Sequence, residues 1–182
     1  MSACGAQRRD LASASLHPKI ERIASARIGN SRRARTDPSD MGLVMTKIKL
    51  TNSFDFVNAR DGRLDPKAVR SVEIEALADT GAIELCIPEE IAELLGAPIT
   101  RKRSVVVADG RRLEVTEVGP LEIEVLDRST TGNVMVLPRG TRPLLGALQM
   151  EQLDLVVVPR TGEVIGNPAH PDGPLIPILL AS

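Results

Sequence analysis

Asp79, Thr80 and Gly81 are the residues whose types and order could support chemistry, and they directly follow the apolar pair Leu77-Ala78. An aspartate at the end of an apolar strand is partly removed from water, which raises the pKa of its carboxyl group unless partners compensate. Such a carboxyl group can act as a general acid or base. The tripeptide alone is equally consistent with an ordinary turn, because aspartate and glycine are common turn formers.

Cysteine and histidine are scarce, with only Cys4, Cys86, His17 and His170 in the chain. They are too few and too scattered for a tetrahedral metal site built on these residue types. A Ser/His/Asp or Cys/His enzyme stays open, although it would have to use a histidine from an expected terminal tail. Cys86 is interpreted as a buried inert thiol and His170 as a loop residue.

Aromatic residues make up only 1% of the 182 residues, which largely excludes aromatic ligand cages and base-stacking platforms. Any core must therefore be aliphatic. No run approaches the roughly 18 apolar residues of a membrane-spanning helix, and the N-terminus lacks the apolar centre of a signal peptide. We expect a cytoplasmic protein with neither a membrane nor a nucleic-acid partner. The basic run Arg101-Lys102-Arg103 is interpreted as a solvated surface.

The first 40 residues differ in charge from the rest of the chain. Residues 1–40 carry eight basic and four acidic side chains, whereas residues 41–182 carry 15 basic and 20 acidic ones. This leader has no sustained apolar period, which predicts disorder. It could be a targeting or nucleic-acid-binding arm or an inert extension, but we favour Met41 as the true start. We expect the folded domain over 41–160 and a Pro-rich segment over 161–182 that could supply a strand to a dimer interface.

Short β-prone runs dominate the chain after the leader, and several alternate apolar with polar residues as half-buried strands do. We expect a turn at Gly119-Pro120 and a polar loop over 51–70. One helix is predicted from Pro88 to Gly96, because proline suits its first turn and glycine its end. The predicted strands are Leu43–Leu50, Val72–Ala76, Ser104–Val107, Leu113–Val118, Leu121–Val125, Val134–Leu137 and Leu153–Val158. The pattern predicts a small, closed or orthogonally packed all-β fold with one or two short helices.

Two further motifs follow Asp79 along the chain. Ala108-Asp109-Gly110 separates two β-prone runs, and an Asp-Gly step in that setting is a strong hairpin signal. Leu144-Leu145-Gly146 then follows an apolar strand. In this order the three features resemble the retropepsin-like (retroviral-type, clan AA) aspartic proteases, over about residues 43–160. The resemblance implies a closed β-barrel of the acid protease fold, with one lobe per chain.

The resemblance also implies a role for each matching residue. Asp79 would be the catalytic carboxylate, and Thr80 would fix two active-site loops by hydrogen bonding across a dimer. Gly81-Ala82 would line the substrate cleft with backbone groups. Leu144–Gly146 would support the catalytic loop from beneath, and Ala108–Gly110 would form the substrate-binding flap.

The single Asp-Thr-Gly bears on the expected oligomeric state. Peptide hydrolysis by this route needs two carboxyl groups that share a proton, one taking a proton from water and one donating to the carbonyl oxygen. A homodimer supplies the second Asp79 across its two-fold axis, and no metal or organic cofactor is required. The expected function is an aspartic endopeptidase acting on peptides or unfolded protein. The alternative is a non-catalytic peptide-binding module with the same dimeric fold.

The residues beside the two motifs depart from the retroviral pattern. Many retroviral enzymes carry acids directly after the alanine and an arginine after the supporting glycine, whereas this chain holds Ile83 with Glu84, and Ala147, at these positions. Both ends of an ion pair near the dimer interface are therefore absent together, and we expect different dimer contacts. The candidate interface segments are Leu43–Leu50 and Pro174–Leu180.

Overall fold

The computed structural model of this protein describes residues 42–106, Gly110 and residues 112–174. The predictions for the leader, for Met41 and for the chain after Pro174 lie outside the described residues. So do Ala108 and Asp109 of the expected flap. The fold below is that of the described part of the chain.

The strands of this part form a closed barrel and a separate small hairpin. They are β1 (Met45–Asn52), β2 (Ser71–Ala78), β3 (Cys86–Pro88), β4 (Ile99–Val106), β5 (Arg112–Val125), β6 (Arg128–Leu137), β7 (Leu144–Leu145), β8 (Leu155–Val158) and β9 (Glu163–Gly166). Six strands close in the order β1-β2-β7-β3-β6-β5, because β5 pairs back onto β1. β4 pairs with β5 outside this ring. The mainly β fold and closed barrel confirm the coarse class predicted from the sequence.

The predicted helix is present as α2 (Glu89–Leu95), and its ends match the expected signals. Pro88 occupies the N-cap position, and Gly96 ends the helix with a left-handed φ of 54°. Its N–H donates to the carbonyl oxygens of Ala92 and Glu93. Glycine is favoured there because a Cβ is unfavourable in this conformation.

The prediction of a polar loop over 51–70 is wrong, because this segment contains the helix α1 (Ser53–Arg60) and a 3-10 turn (Pro66–Ala68). The side chain of Asn52 caps α1 by accepting hydrogen bonds from the N–H groups of Phe54 and Asp55. α1 buries Ser53 and Asp55 but exposes both of the chain's phenylalanines. It therefore lacks the apolar face by which a helix is recognised in a sequence.

The turn predicted at Gly119-Pro120 is also wrong, since both residues lie inside the continuous strand β5. The strand absorbs them as an irregularity, with a register shift against β6 between Val118 and Leu121. A Cβ at Gly119 would lie 2.9 Å from the Cα of Asn133, and the φ of Gly119 is 147°. The Gly-Pro step thus allows close approach of β5 and β6 rather than a reversal.

The core is aliphatic, as the composition requires. Leu85 and Leu145 are fully buried together with strand residues from around the barrel: Ile48, Leu50, Ile87, Leu121, Ile123 and Val134. A third short helix, α3 (Ala147–Gln152), follows β7 and buries Met150 against this cluster. In the described part of the chain, no helix has the length and apolar character to cross a membrane. Leu145 of this core pairs with Ala78, the residue before Asp79, so the core lies next to the strand end that carries Asp79.

Candidate functional site

Asp79 is the first residue after β2, and backbone pairing with β7 determines its position. β2 and β7 run parallel, with Leu77 opposite Leu144 and Ala78 opposite Leu145. The N–H of Asp79 donates to the carbonyl oxygen of Leu145 at 3.0 Å. The two sequence motifs, 65 residues apart, therefore meet through the sheet.

A tight turn follows Asp79 and orients its carboxyl group. The N–H of Gly81 donates to Asp79 Oδ1 at 2.9 Å, and the N–H of Ala82 donates to the Asp79 carbonyl oxygen at 3.1 Å. A Cβ at Gly81 would lie 3.1 Å from the same Oδ1. Asp79 and Ala82 are half-buried, while Thr80 and Gly81 are exposed. The turn (79–82), hereafter the Asp79 loop, thus presents a carboxyl group at a partly solvated surface.

The Leu144–Gly146 motif lies against this loop and the residues that follow it. The N–H of Ala147 donates to the Ala82 carbonyl oxygen at 2.8 Å, and the N–H of Leu148 donates to that of Ile83 at 2.9 Å. A Cβ at Gly146 would lie 2.5 Å from the Glu84 carbonyl oxygen. The structure thus brings together the two motifs that the sequence analysis singled out.

The expected flap hairpin is formed by β4 and β5, hereafter the β4–β5 hairpin. Val105 pairs with Leu113 and Val106 with Arg112 in antiparallel register. Gly110, at the tip, is exposed with a φ of 82°. Ala108 and Asp109 lie outside the described residues, so the structure assigns the hairpin but not its whole tip.

Charged residues join the hairpin to Glu84, two residues after the Asp79 loop. These ion pairs were not predicted from the sequence. Arg103 Nη1 donates to Glu84 Oε1 at 2.9 Å. Arg101 Nε donates to Glu117 Oε2 at 2.7 Å, and Arg103 Nε lies 3.5 Å from the same oxygen. The interpretation of 101–103 as a solvated charge run fits Arg101 and Lys102, which are exposed, whereas Arg103 is half-buried. It missed that both arginines pair with carboxylates. Their i, i+2 spacing on a strand was the available signal, since it places both on one face.

Glu117 is the buried member of this network, with its side chain 1% exposed. The hydrogen bond from Arg101 is the main cause that lowers the pKa of Glu117, and burial opposes it. Asn133 also donates to Glu117, from Nδ2 to Oε1 at 2.8 Å. Both carboxylate oxygens thus have partners, as a buried charge requires.

Glu84 forms an ion pair that was not predicted from the sequence. The sequence predicted that both ends of the retroviral-type pair are absent, and Ala147 indeed carries no charge. Glu84 nevertheless has a basic partner, because Arg103 reaches it from the β4–β5 hairpin. This ion pair lies within one chain and does not depend on a partner subunit.

Cys86 is the first residue of β3 and is buried, as the sequence analysis expected. Burial is the main cause that raises the pKa of its thiol to about 11, and the charges of Glu84 and Asp79 add to it. The thiol therefore stays protonated at neutral pH, which makes it a poor nucleophile.

His170 lies in a loop, as expected, and also belongs to a polar cluster at the β8–β9 hairpin. Its Nδ1 lies 2.6 Å from Asp154 Oδ2, and its carbonyl oxygen accepts from Arg128 Nη2 at 2.8 Å. Arg128 is buried and also donates to the Leu153 carbonyl oxygen at 2.9 Å. The contacts of this cluster attach the C-terminal loop to β6.

A groove of about 540 Å³ in the described part of the chain lies away from Asp79. It lies between β1 and the β8–β9 hairpin, and its lining includes Met45, Lys47, Leu126 and Val164. Within the described residues, no cluster of three or more His, Cys, Asp or Glu side chains could hold a metal ion.

No protein-family model matches the sequence, and no curated protein matches it significantly. The resemblance to retropepsin-like proteases therefore depends on the residues described above.

Proposed function

We propose that this protein is an aspartic endopeptidase that acts as a homodimer on peptides or unfolded protein segments. The observation that carries the proposal is the Asp79 loop itself. A carboxyl group at the end of a barrel strand is oriented by the Gly81 N–H and supported from below by Leu144–Gly146. The β4–β5 hairpin is connected to this loop through Arg103 and Glu84.

The proposed chemistry needs a second carboxyl group near the first. Two copies of Asp79 related by a two-fold axis would share one proton, because like charges a few Å apart do not both ionise. The ionised carboxylate would take a proton from a water molecule, which attacks the peptide carbonyl carbon. The protonated one would donate to the carbonyl oxygen. This mechanism needs one carboxyl group protonated and the other ionised, so activity should favour acidic to near-neutral pH.

Exposed apolar side chains beside the loop support the dimer. Ile83 is 73% exposed and Leu148 is 39% exposed, and their backbones are hydrogen-bonded to each other. Large apolar side chains grouped at a surface favour contact with a partner.

The deciding experiment is cleavage of an unfolded protein and of a mixed peptide library across about pH 4 to 7. We expect Asp79→Asn to abolish cleavage while leaving the fold and the oligomeric state unchanged. Asp172→Asn is the matched control, because Asp172 is an exposed aspartate in the C-terminal loop. Pepstatin, a transition-state mimic for this chemistry, should inhibit the wild type.

The opposite result would favour the non-catalytic alternative. A protein that light scattering shows to be a folded dimer, but that cleaves nothing at any pH, would not be an endopeptidase. Peptide binding that survives Asp79→Asn would then indicate a module that holds an extended strand through main-chain hydrogen bonds.

A further inference from the structure

Arg103 lies on the face of the β4–β5 hairpin that points toward Glu84, two residues after the Asp79 loop. Along β4, Arg103 and Val105 are half-buried whereas Ser104 and Val106 are exposed. Alternate residues of a strand share a face, so Arg103 and Val105 form the inner face of the hairpin. The 2.9 Å contact between Arg103 and Glu84 fixes which way this face points.

The guanidinium of Arg103 contacts two carboxylates on different elements. Nη1 meets Glu84, which follows the Asp79 loop, and Nε lies 3.5 Å from the buried Glu117 of β5. A rigid, planar guanidinium with several donors suits two simultaneous partners better than a flexible ammonium group does. Arg103 therefore spans from the base of the hairpin to the end of the loop.

Glu84 is firmly held on the loop side. Its backbone packs on Gly146 so closely that a Cβ there would lie 2.5 to 2.7 Å from Glu84 backbone atoms. Its side chain is 19% exposed, so the ion pair with Arg103 is partly shielded from water and salt. Any change in the hairpin angle must therefore break or move this ion pair.

We propose that Arg103 is a positioning residue that couples the β4–β5 hairpin to the Asp79 loop, through Glu84 on one side and Glu117 on the other. The inference rests on the proposed peptidase function, in which the hairpin covers the bound peptide. Arg103 sets the height and angle of the hairpin above Asp79 before substrate arrives. It touches neither the substrate nor the reacting atoms.

This role has a kinetic signature. A pre-set hairpin contributes equally to binding of the substrate and of the transition state, so its loss should raise KM more than it lowers kcat. We expect Arg103→Met to raise KM about 5- to 20-fold with kcat changed less than about twofold. Methionine keeps most of the length of the side chain and removes the charge.

Arg101→Met is the matched control. Arg101 pairs with the same Glu117, at 2.7 Å, and is more exposed than Arg103. Within the described residues Arg101 makes no hydrogen bond or salt bridge to Glu84, whose charge acts on it only at longer range. Arg101→Met should therefore destabilise the hairpin at least as much as Arg103→Met does, without uncoupling the hairpin from the loop, and we expect KM to stay within about twofold of the wild type.

Hydrogen–deuterium exchange tests the coupling separately from catalysis. We expect Arg103→Met to speed exchange in both the hairpin and the 79–84 segment, whereas Arg101→Met should affect the hairpin alone. Glu84→Gln keeps the side-chain shape and should speed exchange at the same two places. It serves as the test if Arg103→Met fails to fold. Combining Arg103→Met with Glu84→Gln should add little to either single change.

The outcomes separate this inference from the proposed function. If the wild type cleaves no peptide but Arg103→Met still speeds exchange at both places, the peptidase proposal fails and the coupling stands. If the wild type cleaves peptides and Arg103→Met matches Arg101→Met in both KM and exchange, the coupling is overturned. The coupling is also overturned if exchange in the 79–84 segment is unchanged in both Arg103→Met and Glu84→Gln.

Discussion

Gly146 is the residue where a single added carbon should matter most. A Cβ there would lie 2.5 Å from the Glu84 carbonyl oxygen, and neither backbone segment can easily yield. We expect Gly146→Ala to destabilise the protein by about 1–3 kcal/mol, the usual cost of overpacking. Urea unfolding at neutral pH measures this directly.

Gly132→Ala is the matched control for that substitution. Gly132 lies in β6, and the nearest atom to a Cβ there is Ile123 Cδ1 at 4.0 Å. Its added methyl group should be neutral or slightly stabilising, because it restricts the unfolded chain. Equal midpoints for the two variants would show that the contact between Gly146 and Glu84 is looser than the structure indicates.

At the scale of elements, α1 depends on its cap rather than on an apolar face. The Asn52 side chain accepts from the N–H groups of Phe54 and Asp55, at 2.9 and 3.2 Å, and donates to the Leu95 carbonyl oxygen at 3.0 Å. We expect Asn52→Ala to cost about 2–3 kcal/mol, since it removes the cap and leaves buried groups unpaired. The free energy of unfolding from urea titration measures the loss.

Asp65→Ala provides the comparison within the same connection. Asp65 caps the 3-10 turn by accepting from the Lys67 N–H at 2.9 Å, but it is exposed. Water can replace that contact, so the loss should stay below about 1 kcal/mol. A cost for Asn52→Ala no larger than for Asp65→Ala would contradict the bridging role of Asn52 between α1 and α2.

At the scale of the whole molecule, the proposed dimer predicts an effect of charge beside the Asp79 loop. Ile83→Asp places a carboxylate on an exposed apolar position near the proposed two-fold axis, and two such charges would face each other. We expect dimer dissociation to become at least about tenfold more favourable. Sedimentation equilibrium measures the dissociation constant.

Ile99→Asp is the control, because Ile99 is 67% exposed on β4 and thus nearly as accessible as Ile83. It should leave the dissociation constant unchanged. Equal weakening by both substitutions would indicate a general effect of charge rather than an interface at the Asp79 loop.

Acid stability is a second property of the whole molecule. The hydrogen bond from Arg70 is the main cause that lowers the pKa of Asp55, and that from Asn167 lowers the pKa of Asp154. A carboxyl group with a lowered folded-state pKa contributes stability above its ordinary value, and this is lost as the pH falls through the folded value. The ordinary values are 3.8 for these aspartates and 4.5 for Glu117, which is shifted in the same direction.

We therefore expect the free energy of unfolding to hold from neutral pH to about pH 5 and to fall steeply below that. Asp55→Asn should flatten this fall, because one proton-binding step is removed, whereas exposed Asp172→Asn should leave the slope unchanged. Urea unfolding at stepped pH measures both slopes. An unchanged slope in Asp55→Asn would show that the pair with Arg70 does not govern acid stability. For the proposed peptidase, this loss of stability would set the acidic limit of activity.

Local signals in the sequence were sufficient to predict the mainly β class, the aliphatic core and α2, and to single out the two motifs of the Asp79 region. Alternation reports which face of a strand is buried, and proline and glycine mark helix ends through their own backbone restrictions. These signals act over a few residues, so they can be read without the fold. The catalytic role of Asp79 remains a prediction.

Other features were decided only by tertiary structure. α1 has no apolar period and depends on Asn52, which reaches the end of α2; Gly119-Pro120 stays in a strand because β6 pairs on both sides of the irregularity. Arg103 and Glu117 meet across the β4–β5 hairpin, and only the fold brings Glu84, 19 residues before Arg103, to the same guanidinium. Pairing over such separations depends on register and strand order, which no single segment encodes. The order of the motifs along the chain was therefore enough to predict the Asp79 loop. The ion pair between Arg103 and Glu84 could be seen only in the folded structure.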